Sequence, residues 1–333
     1  MNIIVTGVAG FIGSHLAERL LQRGHAVVGL DSFDPFYERS LKEANLAAIR
    51  GRAEIVEGDI LDDAALDRAF ARARARAKAP VDLVVHLAAL AGVRPSLRQP
   101  ARYQRVNVEG TARVAEAALR HDVRRLVFAS SSSVYGDGAS APVTEDDRAD
   151  APLSPYAASK RGGELLLRSL SHASGLDVIA LRYFTVYGPR QRPDMAVHAF
   201  ARAIERGDAL TLFGGAESSR DYTYIDDAID GTARAVDALL SRSAPGFRIY
   251  NLGGGRPVPL AALVAALGDE LGRAPRVTRA PAPPGEVRAT LACIDAARRD
   301  LGYEPAVSLE EGLRRFVAWL RLRDQPQPTS APR

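Results

Sequence analysis

The stretch NIIVTGVAGFIGSH, residues 2–15, decides the fold of this chain. Residues 2–6 are mostly β-branched and predict a buried strand, and the residues after Gly10 predict a helix. Gly7, Gly10 and Gly13 lie at this junction, where glycine lets the backbone turn tightly and approach a pyrophosphate at the helix N-terminus. The stretch therefore predicts a glycine-rich turn that binds the phosphates of a dinucleotide.

Asp31 ends the second predicted strand and indicates which dinucleotide is bound. A carboxylate there accepts hydrogen bonds from both ribose hydroxyls, whereas a 2′-phosphate would meet like charge. NAD is therefore expected as the cofactor in preference to NADP. Asp59, after the third predicted strand, is a candidate acceptor for the adenine amino group, although an Asp there could equally belong to a loop or cap a helix.

Short β-branched runs alternate with helical patterns as far as about residue 181. The predicted buried strands are residues 2–6, 26–31, 53–57, 81–86, 124–130 and 176–182. This alternation predicts an α/β fold, a Rossmann-type doubly wound parallel sheet with helices on both faces. After residue 182 the chain is rich in Gly and Pro, with helical patterns at 196–206 and 260–272, which predicts a smaller C-terminal α/β substrate-binding lobe.

Three parts are therefore expected along the chain. Residues 1–182 form an NAD-binding Rossmann domain, and residues 183–324 form mainly the substrate-binding lobe, from which some segments could return to the first domain. Residues 325–333 are expected to be a flexible tail.

The composition excludes several classes of function. The 333 residues are 47% apolar and 25% charged, which is typical of a folded globular protein. The net charge of +4 comes from interleaved basic and acidic residues, so no nucleic-acid partner is expected. Cys293 is the only cysteine, which excludes an intrachain disulfide or a multi-cysteine metal site and fits a reducing compartment. No signal segment or membrane span is recognisable, so we expect a cytoplasmic protein with no membrane partner and no metal.

Tyr156 and Lys160 form the candidate acid/base pair. Ser154 and Pro155 precede them as a helix-start signal, which places the two side chains one turn apart on one helix face. A free tyrosine, with a pKa of about 10, is a poor base at neutral pH, and bringing that pKa near neutrality requires roughly 4 kcal/mol of preference for the phenolate. An ammonium about 4 Å away, at an effective dielectric near 20, supplies about that much. Lys160 is therefore expected to activate Tyr156.

A run of serines, residues 130–133, ends the preceding predicted strand. Doubly wound sheets bind ligands at this edge. Ser131 is the candidate hydroxyl that shares a proton with Tyr156 and polarises the substrate oxygen. Ser132 and Ser133 remain alternatives for this role.

The glycine triplet, Asp31, the serine run and the Tyr156/Lys160 pair together resemble the extended short-chain dehydrogenase/reductase family. Within it, the chain resembles the NAD-dependent epimerase/dehydratase group, which acts mainly on nucleotide sugars, and the similarity covers essentially the whole chain. Several segments look most like UDP-glucuronate 4-epimerases, namely residues 31–37, 41–46, 88–94, 182–189, 192–195 and 220–226. The chain departs from the family pattern at Thr185, where Asn is common, and at Arg288, where Pro is usual.

The resemblance implies the activity and further site residues. It implies C4 epimerisation of UDP-glucuronate to UDP-galacturonate on NAD, through a 4-keto sugar. The further residues it implies at the cofactor are Phe11, Ile12, Ile60, Leu87, Ala88 and Ala89. It places Arg220 at the pyrophosphate and Phe213 beside the uracil, and adds Arg94 and Arg288 to the substrate site.

An acidic sugar is also favoured by the types of side chain at the sugar site. Ser132, Ser133, Thr185 and Arg192 provide hydroxyls and a guanidinium, which are donors that suit a carboxylate. The alternatives are a UDP-glucuronate decarboxylase, a UDP-galactose 4-epimerase and a non-catalytic, NAD-occupied binding or scaffolding protein. The resemblance further implies a homodimer formed through helices around residues 107–120 and 156–169.

Overall fold

The computed structural model describes residues 1–137, 141–214, 218–242, 244–285 and 287–324, so the predicted tail lies outside the described residues. The strands are β1 (Asn2–Thr6), β2 (Ala26–Asp31), β3 (Glu54–Glu57), β4 (Leu83–His86), β5 (Arg125–Ser131), β6 (Asp177–Tyr183), β7 (Thr185–Tyr187), β8 (Ala209–Phe213), β9 (Ser219–Tyr224), β10 (Phe247–Leu252), β11 (Pro257–Pro259) and β12 (Arg276–Ala280). The helices are α1 (Phe11–Gln22), α2 (Arg39–Asn45), α3 (Asp63–Ala77), α4 (Val93–Arg98), α5 (Pro100–Gln104), α6 (Gly110–Arg120), α7 (Pro155–Ser174), α8 (Ala196–Arg206), α9 (Ile225–Ser241), α10 (Leu260–Leu271), α11 (Asp295–Leu301) and α12 (Leu309–Asp324). Short 3₁₀ turns at Ala47–Ile49 and Ser132–Tyr135 and a π-helical turn at Arg105–Glu109 lie between them.

Within the described ranges, seven strands form one parallel sheet in the order β3-β2-β1-β4-β5-β6-β10. The six strands predicted from the sequence are β1 to β6, with ends that differ by at most two residues from the prediction. Every residue of β1 and of β6 is buried, because helices cover both faces of the sheet. The predicted doubly wound α/β fold is confirmed.

The seventh strand, β10, comes from beyond residue 183. It pairs in parallel with β6, and Tyr250 lies beside Leu181 in the register. The central sheet therefore takes a strand from the part of the chain predicted to form the C-terminal lobe. The sequence signal for β10 is weak because Arg248 and Asn251 interrupt the continuous apolar pattern of a central strand.

The C-terminal lobe is built on two small sheets. β11, β9 and β7 form one, and β12 pairs with β8 in the other. α10 packs against both α8 and α12, and α8 and α10 are the two helices predicted in this region. In the part of the chain that the structure describes, no helix is both long and apolar enough to cross a bilayer.

The parallel arrangement brings the carboxyl ends of the central strands to one edge. Thr6 at the end of β1 lies beside His86, and Ser131 at the end of β5 lies beside Tyr183. The glycine turn and the serine run therefore emerge at the same edge of the sheet, which is where ligands bind in doubly wound folds.

Candidate active site

A cavity of about 1250 Å³ opens at this edge and is lined by residues of both the central sheet and the C-terminal lobe. It is larger than the about 300–1,000 Å³ of an ordinary small-molecule pocket, so it has room for two ligands. The predicted site residues that line it are Gly7, Gly10, Phe11, Ile12, Gly13, Asp31, Asp59, Ile60, Leu87, Ala88, Ala89, Arg94, Ser131, Ser132, Ser133, Tyr156, Lys160, Thr185, Arg192, Phe213 and Arg220.

Arg288 is the predicted substrate residue that the structure does not bring to the cavity. Its side chain is 87% exposed, and its Nε donates to Asp137 at 3.2 Å. Its carbonyl oxygen instead accepts hydrogen bonds from the backbone N–H of Ser219 at 3.3 Å and from Nη1 of Arg220 at 2.9 Å. In this structure the backbone of Arg288 supports Arg220, while its guanidinium pairs with Asp137 outside the cavity lining.

The glycine turn is required by close packing of the backbone. Gly7 has a φ of +72°, which residues with a side chain rarely adopt. A Cβ atom on Gly13 would lie 2.1 Å from the carbonyl oxygen of Gly7, so any side chain would push α1 away from the end of β1. Gly10 immediately precedes α1, whose first turn lines the cavity and has N–H groups without helical partners. This turn can hold the phosphates of a dinucleotide.

Asp31 presents its carboxylate to the cavity from the end of β2. One oxygen accepts from the backbone N–H of Ala9 at 2.9 Å and the other from that of Phe33 at 2.9 Å. Burial raises the pKa of the Asp31 carboxyl, and these two donors oppose that effect by favouring the charged form. Each oxygen keeps a lone pair that can accept from a ribose hydroxyl.

Asp59 lines the same side of the site but is exposed and makes a local contact. Its Oδ1 accepts from the backbone N–H of Leu61 at 2.9 Å. This local bond agrees with the alternative that Asp59 is a loop residue. The second carboxylate oxygen of Asp59 can still accept a hydrogen bond from a ligand.

Tyr156 and Lys160 lie one turn apart near the start of α7. Ser154 caps the helix through its hydroxyl oxygen, as its position before Pro155 predicts. Nζ of Lys160 donates to the carbonyl oxygen of Ala129 at 2.8 Å, which ties α7 to β5. The tyrosine is thereby held beside the end of the strand that carries the serine run.

The charges around Tyr156 differ from the sequence expectation. Burial raises the pKa of its hydroxyl, while a hydrogen bond with Ser131 and the positive charge of Arg192 oppose this shift. Burial also lowers the pKa of Lys160 to about 7, and the charge of Glu164 opposes that shift. Burial therefore disfavours the charged form of Lys160, while among the described residues the charge of Arg192 favours the Tyr156 phenolate.

The hydrogen bonds of the serine run favour Ser131 as the partner of Tyr156. The Oγ of Ser131 accepts from the backbone N–H of Ser133 at 3.2 Å and from its hydroxyl at 2.9 Å. With its lone pairs used in this way, the Ser131 hydroxyl proton can be donated to Tyr156 or to a substrate oxygen. Ser132 and Ser133 line the cavity beside it.

A buried ion pair behind Lys160 is absent from the sequence prediction. Glu164, one turn further along α7, is fully buried and accepts from Nε and Nη2 of Arg182 at 2.9 and 2.8 Å. The hydroxyl of Ser130 donates to the same carboxylate at 2.5 Å. These bonds join α7, β5 and β6 directly behind the reacting groups. The spacing of Glu164 from Lys160 is the sequence signal that could have identified it.

Arg192 reaches the cavity from the loop before α8 and is already paired. Its Nε and Nη2 donate to the two carboxylate oxygens of Asp194 at 2.9 and 2.8 Å. Its guanidinium carbon lies 5.0 Å from the centre of the Phe36 ring. The sequence prediction includes Arg192 but neither Asp194 nor Phe36. A charged donor therefore lines the same cavity as Thr185, with an unpredicted carboxylate beside it.

The predicted nucleotide side of the substrate site is formed by Arg94, Phe213 and Arg220. The guanidinium carbon of Arg94 lies 4.5 Å from the centre of the Phe213 ring. Nη1 of Arg220 donates to the carbonyl oxygen of Ser219 at 2.9 Å, in addition to its bond to the carbonyl of residue 288. These contacts hold two cations and an aromatic ring in the lining of the cavity.

The fold and the cavity define a class, a Rossmann-type protein in which a tyrosine, a lysine and a serine line one cavity with a dinucleotide-type glycine turn. The sequence profile of the NAD dependent epimerase/dehydratase family matches residues 3–253, so the chain belongs to this family.

Individual relatives are similar along almost their whole length. A probable UDP-glucuronate 4-epimerase of Rhizobium meliloti (strain 1021) is 40% identical over 337 aligned positions, which cover 96% of each chain. The crystal structure of UDP-glucuronic acid 4-epimerase from Bacillus cereus, in complex with UDP-glucuronic acid and NAD, is 35% identical, with a TM-score of 0.88 over 97% of this chain and 100% of that one. A UDP-glucose 4-epimerase from Thermotoga maritima with UDP-glucose is 33% identical, with a TM-score of 0.86 over 97% of this chain and 99% of that one.

Proposed function

We propose that this chain is an NAD-dependent epimerase that inverts C4 of UDP-glucuronate to give UDP-galacturonate. The observation that carries the proposal is the guanidinium of Arg192, which shares a cavity with Tyr156 and with the hydroxyl of Thr185. A guanidinium and hydroxyls recognise a carboxylate, whereas a neutral sugar offers them no matching charge. The names of the relatives in Rhizobium meliloti and Bacillus cereus support the same substrate.

The glycine turn fits NAD because its backbone leaves no space for a Cβ atom at Gly13 and opens the first turn of α1 to the cavity. The turn would hold the pyrophosphate, Asp31 would hold the ribose, and Leu87 and Ala88 at the end of β4 would lie along the cofactor. When bound, NAD would supply a hydride acceptor for C4 of the sugar and a hydride donor for its return.

Tyr156 moves the proton. Its phenolic oxygen, hydrogen-bonded to Ser131, takes the proton of the C4 hydroxyl and gives it back to the same oxygen when the epimer forms. The charge of Arg192 favours the phenolate, and Lys160 adds to that charge while it is protonated. Between the two transfers the ring of the 4-keto sugar must rotate to present its other face, while the UDP part stays bound. We assign the binding of UDP to Arg220 and Phe213.

The carboxylate of the 4-keto sugar needs control because the ketone is β to it. Loss of CO₂ requires the bond from C5 to the carboxylate to lie perpendicular to the plane of the ketone. Donors that hold this bond near the plane raise the barrier to decarboxylation. We assign this role to Arg192, with the hydroxyls of Thr185, Ser132 and Ser133.

Proton NMR of the products formed from UDP-glucuronate tests the proposal. We expect UDP-galacturonate with no net consumption of NAD, and no product from the Tyr156→Phe variant. A UDP-pentose would indicate a decarboxylase, and conversion of UDP-galactose alone would indicate a neutral-sugar epimerase. Absence of any conversion by NAD-loaded protein would indicate a binding protein.

We further propose a homodimer formed through residues 107–120 and 156–169. Leu165 on α7 is 51% exposed, and a second copy would cover this large apolar side chain. Light scattering should give a dimer for the wild type and a monomer for Leu165→Glu, and a wild-type monomer would contradict the proposal.

We also propose that the protein is cytoplasmic. Its single cysteine, Cys293, is a free thiol, which suits a compartment where thiols stay reduced.

A further inference from the structure

Arg192 has a carboxylate partner from its own loop. Asp194 accepts from its Nε at 2.9 Å and from its Nη2 at 2.8 Å, so one edge of the guanidinium is occupied. Both side chains line the cavity, but that of Arg192 is 16% exposed and that of Asp194 is 41% exposed. The cation therefore lies deeper than the anion that neutralises it.

The other edge of the guanidinium is available to a ligand. Within the described ranges, Nη1 of Arg192 makes no hydrogen bond, although an arginine has five N–H donors to offer. Phe36 covers the flat guanidinium group, with 5.0 Å between its ring centre and the guanidinium carbon. A second carboxylate would therefore approach the Nη1 end and share the cation with Asp194.

The two charges have opposite effects on the tyrosines of the site. The charge of Arg192 lowers the pKa of Tyr37 and that of Tyr103, and the charge of Asp194 raises both. At Tyr156 the charge of Arg192 also lowers the pKa, against the larger opposite effect of burial. Arg192 thus favours the phenolate of Tyr156, and Asp194 counteracts the same charge at Tyr37 and Tyr103.

We propose that Asp194 is a specificity-determining residue, whose carboxylate competes with that of an acidic UDP-sugar for Arg192 and so limits the preference for acidic over neutral sugars. The inference rests on the function proposed above. With Asp194 present, a neutral sugar does not bury an unpaired cation, whereas an acidic sugar adds a second negative charge beside the first. The internal carboxylate also gives Arg192 a partner when the sugar ring turns or the product leaves.

Binding measurements on NAD-loaded protein test this proposal. The Tyr156→Phe substitution serves as the reference background because it stops turnover, and calorimetry gives Kd for UDP-glucuronate and for UDP-glucose. Asp194→Asn removes the charge while keeping the size and one acceptor oxygen. We expect this variant to lower the Kd for UDP-glucuronate about fivefold, the effect of a partly exposed ion pair. The Kd for UDP-glucose should change less than about twofold. Equal changes for both sugars, or weaker binding of UDP-glucuronate, would overturn the proposal.

Two further variants separate charge competition from a loop defect. The first is Asp208→Asn. It breaks an Arg–Asp pair of the same sequence spacing that lies outside the cavity lining, in which Arg206 donates to Asp208 at 2.7 Å. This variant should change the Kd of neither UDP-glucuronate nor UDP-glucose. In an Arg192→Ala background, Asp194→Asn should have no effect on either sugar. A fivefold effect that persists without Arg192 would contradict the competition.

Failure of the underlying function gives a different result. If the reference protein shows no preference for UDP-glucuronate and Arg192→Ala leaves both Kd values unchanged, the acidic-sugar assignment is wrong. If Arg192→Ala removes a clear preference but Asp194→Asn changes nothing, only the role given to Asp194 is wrong.

Discussion

The two halves of the cavity differ in the interactions that hold their residues in place. On the proposed cofactor side, Gly13 lets the backbones of β1 and α1 meet, and two backbone N–H groups fix Asp31. On the proposed sugar side, Arg192, Asp194 and Phe36 meet through side chains of two loops. Backbone packing tolerates little change in volume. Paired side-chain charges can exchange partners, so the cofactor side suits a permanently held ligand and the sugar side suits one that moves.

Tyr156→Phe acts at the junction of the two halves and should have the largest effect. We expect kcat to fall at least about 100-fold, because the phenolic oxygen that carries the proton is lost. NAD content and Tm should stay unchanged, since the ring remains. Tyr103→Phe is the matched control, because its ring lies 6.3 Å from that of Tyr156 and its hydroxyl donates to the carbonyl oxygen of Ala91. A Tyr156→Phe protein that keeps more than about a tenth of kcat would show that the acid/base assignment is wrong.

Gly13→Ala tests whether backbone packing controls the cofactor side. The added Cβ atom would lie 2.1 Å from the carbonyl oxygen of Gly7, so α1 must shift at a cost of about 1–3 kcal/mol. We expect a lower Tm and protein that loses NAD during purification, measured by release of nucleotide on denaturation. Gly246→Ala is the control, because its Cβ would meet only the ends of two flexible arginine side chains, at 3.5 and 3.8 Å. Normal NAD content in Gly13→Ala would contradict the contrast between the halves.

Arg192→Ala tests the sugar side through the ratio of products. Without the guanidinium the carboxylate can rotate into alignment with the ketone, so we expect weaker binding of UDP-glucuronate and a ratio of UDP-4-keto-pentose to epimer raised about tenfold, the equivalent of 1.4 kcal/mol. Arg190→Ala is a control in the same loop, because Arg190 pairs with Glu18 at 2.8 Å outside the cavity lining. Wild-type affinity with an unchanged product ratio would favour a neutral-sugar epimerase.

Lys160 gives an effect that is separate from catalysis, a dependence of stability on pH. Its pKa is about 7 in the folded protein and about 10.4 in an unfolded chain, so from pH 7 to 10 the unfolded state binds more protons. The free energy of unfolding of nucleotide-free protein should therefore rise with pH in this range, by at most about 1.4 kcal/mol per pH unit. Urea denaturation at pH 7 and 9 should show a smaller rise for Lys160→Met. The exposed Lys78→Met is the control, and an equal loss of slope there would contradict the assignment.

The parts of the molecule that the sequence predicted correctly depend on local patterns. The strands β1 to β6 and the glycine turn are encoded by short apolar runs and by residues whose neighbours in sequence are also neighbours in space. The start of the helix that carries Tyr156 is predicted by Ser154 and Pro155, which lie within one turn of it. These features need no knowledge of distant contacts.

The features that the sequence did not predict depend on distant or ambiguous partners. The bond between Glu164 and Arg182 joins a helix to a strand that follows it, and either residue alone resembles a solvated charge. Asp194 acquires its role only because Arg192 turns back onto it instead of facing solvent. The sequence also could not show that the backbone of Arg288, and not its side chain, contacts Arg220.

The loop after β2 has a consequence for how the two ligands influence one another. The N–H of Phe33 holds Asp31, while Phe36 of the same loop lies against Arg192, so one segment touches the groups proposed for both ligands. Ligands that each order a shared segment bind cooperatively, and thermodynamic reciprocity makes the coupling factor equal in both directions. A bound nucleotide sugar should therefore raise the affinity for NAD by the same factor by which bound NAD raises the affinity for the nucleotide sugar. Each substrate molecule that binds thus helps to retain the coenzyme.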